Sequence, residues 1–177
     1  MAQNFFSRLY GYYKAGWDKY PVLLFVLGFL VLMSLFYAFM LTNFFTEQFQ
    51  PAVVAVNAKI SSAILNLFGE ATSASGPVIA SEAATISVKR GCDALVPIFL
   101  YISAVLAFPA SWRSKLFGIL WGVLFLFALN IIRIISLFWI QLYKPEIFDM
   151  MHLEVWQILF IILGIVAWGI WMQRSMK

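Results

Sequence analysis

The stretch LFGILWGVLFLFALNIIRIISLFWI, residues 116–140, decides the fold. A helix of about twenty apolar residues crosses a bilayer, and this run is longer and holds a single charge, Arg133. An arginine inside a span costs on the order of 3 kcal/mol. Its neighbours Ile131, Ile132, Ile134 and Ile135 give no relief. Asn130 and Ser136, three residues to either side, share its helix face. A polar stripe turned into a bundle of further helices is the natural reading. The alternative is an arginine snorkelling outward past Phe138 and Trp139.

Working outward, residues 22–41, 94–108 and 155–172 are also membrane-length or nearly so, the second being short with Pro97 near its start. Of the 177 residues 63% are hydrophobic and 11% charged, about half the charge of a soluble domain. The expectation is an all-α polytopic bundle of about four transmembrane helices, forming one membrane domain over residues 1–177. The net charge of +4 does not gather into a cluster that would fit a phosphate backbone, so no nucleic-acid partner is expected; the bilayer is. The first apolar run is too long for a signal-peptide core and no small-residue cleavage site follows it, so no cleavable signal is expected. One cysteine excludes an internal disulfide.

Lys and Arg near the spans set orientation. Arg8, Lys14 and Lys19 precede the first span, Arg113 and Lys115 lie in the tight 109–115 connection, and Arg174 and Lys177 end the chain. With four spans these regions share one side, the cytoplasm, with both termini there. The 42–93 and 141–154 loops fall outside. They hold seven of the eight acidic residues, together with Lys59, Lys89, Arg90 and Lys144. Residues 1–20 mix basic and aromatic side chains, which suits either an interfacial helix or a plain charged flank.

The 42–91 insert is the main threat to the span count. Val53, Val56, Ile60, Ile64 and Leu67 recur at helical spacing, while Asn57, Lys59, Ser61, Ser62 and Asn66 make spanning expensive. The expectation is an amphipathic helix on the outer membrane face, ending at Gly69. Beyond it, Val78-Ile79 and Thr85, Ile86 and Val88 predict a short β-hairpin turning near Glu82.

With this topology three side chains converge on one side. Cys92 precedes the second span, His152 opens the fourth, and Arg133 lies about 10 Å below the outer end of the third. A helix amino terminus, with Lys89 and Arg90 nearby, favours a thiolate at Cys92. His152 titrates near neutrality and suits general acid–base work. A guanidinium can stabilise a thiolate or an oxyanion, and Asn130 could orient it or add a donor. Asp149 and Glu154 read as solvated loop charges. Taken singly, each residue also has a plain reading: a small apolar residue at a helix end, an interfacial histidine, a snorkelling arginine. Gly118 and Gly122 form a small-xxx-small pair suited to close packing. No metal-ligand cluster or phosphate loop is visible, and no cofactor is expected.

Gly-Cys-Asp-Ala-Leu at 91–95, Asn-Ile-Ile-Arg-Ile at 130–134 and His152 at the last span resemble the exosortase/archaeosortase family, over roughly residues 91–171. Leu-Ala-Phe-Pro-Ala-Ser-Trp-Arg at 106–113 and His-Leu-Glu-Val-Trp-Gln at 152–157 look most like the exosortase H branch. The resemblance implies a membrane-embedded cysteine protease/transpeptidase. Its expected partners are exported proteins with a carboxyl-terminal sorting signal: a motif, of Ile-Pro-Thr-Leu type in the exosortase H branch, a transmembrane helix and a basic tail. It implies Cys92 as nucleophile, His152 as acid/base, Arg133 as transition-state stabiliser and Asn130 in support, within a core over 92–172 of the cytoplasmic (inner) membrane. Asp93 departs from the small residue often found there, and would raise the thiol pKa unless it caps the helix. A non-enzymatic assembly subunit and a small anion transporter using Arg133 are the rival readings. The second lacks an inverted repeat or paired broken helices.

Overall fold

A computed structural model describes residues 19–176. Four main helices and one shorter packed helix are joined to a small sheet. Helix α1, Pro21–Met40, begins at a proline and buries only Met33. A π-helical turn, Phe45–Phe49, leads into α2, Gln50–Leu67. Strands β1 (Ser73–Ser75), β2 (Val78–Ala80) and β3 (Thr85–Ser87) form an antiparallel sheet in that order. Helix α3 is Leu95–Ala107 and α4 is Trp112–Tyr143. An irregular helical entry, ending in the π-helical turn Met151–Val155, leads into α5, Trp156–Ser175.

Three helical runs are long and apolar enough to cross a membrane: Pro21–Met40, Trp112–Tyr143 and Pro145–Ser175. The fourth expected span, α3, has 13 residues. At 1.5 Å per residue it covers about 20 Å, short of the ~30 Å hydrocarbon layer. Ser111 ends the connection from α3 and starts α4, its hydroxyl accepting the Ser114 amide.

The pairs α1–α3, α3–α4 and α4–α5 run antiparallel. Along α1 and α3, Gly28 faces Ala107, the Ser103 hydroxyl donates to Met33 Sδ at 3.4 Å, and Phe36 stacks on Phe99 at 4.5 Å. Along α3 and α4, Lys115 Nζ donates to the Leu106 carbonyl at 2.6 Å and the Tyr101 hydroxyl to that of Gly118 at 3.1 Å. Along α4 and α5, Trp171 Nε1 donates to the Ser114 carbonyl at 2.9 Å. The bundle therefore has a basic end, carrying Lys19, Arg113, Lys115 and Arg174, and an opposite end that carries the insert and all seven described acidic residues. The segment expected to be interfacial over residues 1–20 falls almost wholly outside the described residues.

The two glycines of α4 permit its close contacts. A Cβ at Gly118 would overlap the Trp171 indole, and one at Gly122 the Tyr101 ring. We expect Gly122→Ala to lower stability by about 1–3 kcal/mol, read as a fall in the thermal unfolding midpoint of the protein in detergent.

The insert follows expectation in its elements but not in its faces. Helix α2 ends with Gly69 at φ +90, and β2 and β3 form the hairpin turning near Glu82, with β1 added. Of the expected apolar stripe, Val56, Ile60 and Leu67 point outward, while Asn57, Ser61 and Ser62 are buried beside Val54, Ala58 and Leu65. Asn57 and Ser62 have partners, and the Ser61 hydroxyl has none among the described residues. Asn57 meets Asn130, the Ser62 hydroxyl lies 2.8 Å from that of Thr72, and Asn66 exchanges hydrogen bonds with the Thr72 backbone. A buried polar group needs such partners, and in lipid the apolar side loses nothing by facing out. Helix α2 thus runs alongside the distal half of α4, from Asn57–Asn130 to the Phe68–Trp139 ring contact at 5.6 Å.

Candidate active site

At the insert end, the chain before α3 makes a tight loop. The Cys92 amide donates to the Lys89 carbonyl at 2.9 Å. Gly91 at φ +89 and Ala94 at φ +61 lie on either side of the Cys92-Asp93 pair. A left-handed alanine costs on the order of 1 kcal/mol, so the loop is held by other contacts. Asp93, 2% exposed, supplies them. Its Oδ1 accepts the Leu95 amide at 3.1 Å and its Oδ2 accepts Gln50 Nε2 at 2.7 Å. Gln50 Oε1 in turn accepts Arg90 Nε at 3.0 Å. Asp93 therefore caps α3 and ties the cysteine loop to the start of α2.

Cys92 Sγ lies 2.6 Å from His152 Nε2. The histidine comes from the π-helical turn Met151–Val155, the kind of helix irregularity that is frequent at functional sites. Its backbone carbonyl accepts Arg133 Nη2 at 3.1 Å. The guanidinium lies over the Phe160 ring, 5.6 Å from its centre. Arg133 is buried and turned into the bundle, which excludes snorkelling. Its Nε is buried without a hydrogen-bond partner among the described residues. Asn130, fully buried, donates Nδ2 to the Cys92 carbonyl at 3.0 Å and to Asn57 Oδ1 at 3.4 Å. It holds the cysteine loop rather than Arg133. Asp149 and Glu154 are exposed and do not hydrogen-bond His152.

The four residues singled out from sequence thus meet at one end of the bundle. Helix α4 carries Asn130 and Arg133 and runs on to Tyr143.

The expected thiolate is corrected. Cys92 lies before the left-handed Ala94 that precedes α3, and Asp93 takes the first free helix amide. Burial pushes the Cys92 thiol pKa up, against the pull of the Arg133 charge. Asp93 adds to the rise, and the Lys89 backbone and charge oppose it. A raised pKa means less thiolate at neutral pH. Alkylation of Cys92 should therefore rise with pH through a midpoint above the ordinary thiol value of about 8.5. Asp93→Asn should lower that midpoint and Arg133→Gln raise it. A wild-type midpoint below the ordinary value would contradict this balance.

Two supporting residues escaped sequence reading, Gln50 and Asn57. The available signal was polar residues at positions 50, 57 and 61, on a segment whose apolar spacing drew attention to the other face. Comparison with curated proteins and with solved structures gives no match. The family described as transmembrane exosortase (Exosortase_EpsH) matches residues 9–169, nearly the whole length and every residue of the site, and the chain belongs to that family.

Proposed function

We propose that this protein is a cysteine transpeptidase that cleaves carboxyl-terminal sorting signals of exported proteins through a thioester on Cys92. Family membership supports the coarser statement, a membrane enzyme that processes proteins bearing sorting signals. The observation that carries the finer one is the Cys92–His152 contact at 2.6 Å, next to a buried arginine with a free N–H.

In this reading His152 Nε2 takes the thiol proton as Sγ attacks the scissile carbonyl. The Arg133 Nε–H, with no partner in the resting site, donates to the oxyanion. Asn130 keeps the cysteine loop in place through the Cys92 carbonyl. The C–N bond breaks as His152 returns the proton to the leaving amine, leaving the acyl group on Sγ. An acceptor amine or water then resolves the thioester. The core over 92–172 performs the chemistry, and the insert over 42–91 covers the site and reads the motif. The basic end faces the cytoplasm by the charge rule, which puts the site on the extracytoplasmic side. The substrate helix packs along the bundle, and the motif is of Ile-Pro-Thr-Leu type, as in the exosortase H branch.

The test is co-expression with a tagged exported protein that carries such a signal. Wild type yields the shortened product, and Cys92→Ala, His152→Ala and Arg133→Ala do not. Sidedness is read separately, by labelling the Cys92 thiol of whole cells with a membrane-impermeant maleimide. Labelling only after the cytoplasm is opened would reverse the orientation.

A further inference from the structure

At the basic end, on the opposite side of the bundle from Cys92, α4 and α5 part to form a cleft of about 320 Å³. Arg113 and Arg174 lie on its rim, and Phe117, Trp121 and Trp171 form apolar walls. Arg113 and Arg174 are exposed, and neither has an ion-pair partner among the described residues. Trp171 is spent on the Ser114 carbonyl, which fixes the inner wall. Lys115 is turned away onto the Leu106 carbonyl, so among the described residues the two arginines set the charge of the cleft.

We propose that this cleft binds the phosphate head of an anionic phospholipid, with the first part of an acyl chain against the aromatic wall. Two guanidiniums at one rim are suited to phosphate oxygens, because each can offer paired N–H donors. Basic residues close to a membrane surface each contribute about 1 kcal/mol toward anionic lipid. Exposed Phe117 and half-buried Trp121 continue the cleft onto the apolar flank of the span, where an acyl chain would lie and a free phosphate would find nothing. Charge argues against other occupants. A basic tail on a substrate is repelled. A second copy would have to be inverted to bring acids here, since all seven described acidic residues are at the other end. The cleft is of headgroup rather than whole-lipid size, as expected for a lipid that stays in its leaflet.

The experiment is native mass spectrometry of the full chain released from zwitterionic detergent, with phosphatidylglycerol, phosphatidylcholine of the same acyl chains, or glycerol phosphate added. Wild type should retain phosphatidylglycerol at least about tenfold better than phosphatidylcholine, and Arg113→Gln with Arg174→Gln should remove that preference. Lys59→Gln with Lys144→Gln, which removes equal charge at the other end, should leave it intact. Phe117→Glu, at an exposed position, should expel the lipid even if the double arginine variant fails to fold. Equal retention of the two lipids, equal loss in both double variants, or glycerol phosphate held as tightly as the lipid would each overturn the proposal.

Discussion

Cys92→Ala should abolish processing of a sorting-signal substrate, and His152→Ala should lower its rate by about 10³-fold or more. The size is that of a general base, about 10²–10⁴ in rate, and burial pushes the thiol pKa up, so the base is needed. A cysteine that rested as a thiolate could attack without a base and would tolerate loss of the histidine far better. Here the proton has one place to go within reach, Nε2 at 2.6 Å. The two side chains act as a unit, so the double variant should be hardly worse than Cys92→Ala alone. Cys92→Ser should be nearly as inactive, because a hydroxyl needs a stronger base than this histidine with no carboxylate bonded behind it. Processing rates from single-turnover reactions of purified variants check all four. An assembly subunit would instead tolerate Cys92→Ser and His152→Ala with little change.

Arg133→Met should separate activity from stability. Losing a donor to the oxyanion costs about 10²–10³ in rate. The same change removes a buried guanidinium that is only partly satisfied, with one bond to the His152 carbonyl and a free Nε. Replacing such a buried charge with an apolar side chain of similar length is often neutral or stabilising by about 1–4 kcal/mol. The unfolding midpoint in detergent should therefore hold or rise while processing collapses. A fall in both would make Arg133 a structural anchor. Flux of an anion lost with Arg133 but kept in Cys92→Ala would favour a transporter.

The helices were legible because apolar length alone signals them. The run around Arg133 told both that a bundle exists and which way one face points, since a lone charge in lipid has few alternatives. The alternating order followed from the span count, and it brought Cys92, Asn130, Arg133 and His152 to one end. What stayed hidden depended on pairings between distant segments. Asp93 looked like a threat to the nucleophile. The alternative, a cap on the helix, is met at the Leu95 amide; the bond from Gln50 becomes visible only once α2 stands beside the cysteine loop, and Asp93 still adds to the rise in thiol pKa. Asn57 read as an interruption in an apolar stripe, yet it is buried with Ser62, Val54, Ala58 and Leu65, and Asn130 and Thr72 partner the two polar side chains. Amphipathic spacing assigns two faces and does not say which one meets protein when the surroundings are lipid.

The central claim is an acyl group carried on Cys92. It is tested most directly by mixing the purified full chain with a sorting-signal substrate, quenching in acid within the first turnover, and mapping the modified peptide by mass. The expected result is a substrate-derived adduct on the peptide containing Cys92, released by neutral hydroxylamine as a thioester would be and missing in Cys92→Ala. Cleavage of the substrate by Cys92→Ala at the wild-type rate, with no adduct in either protein, would contradict the account.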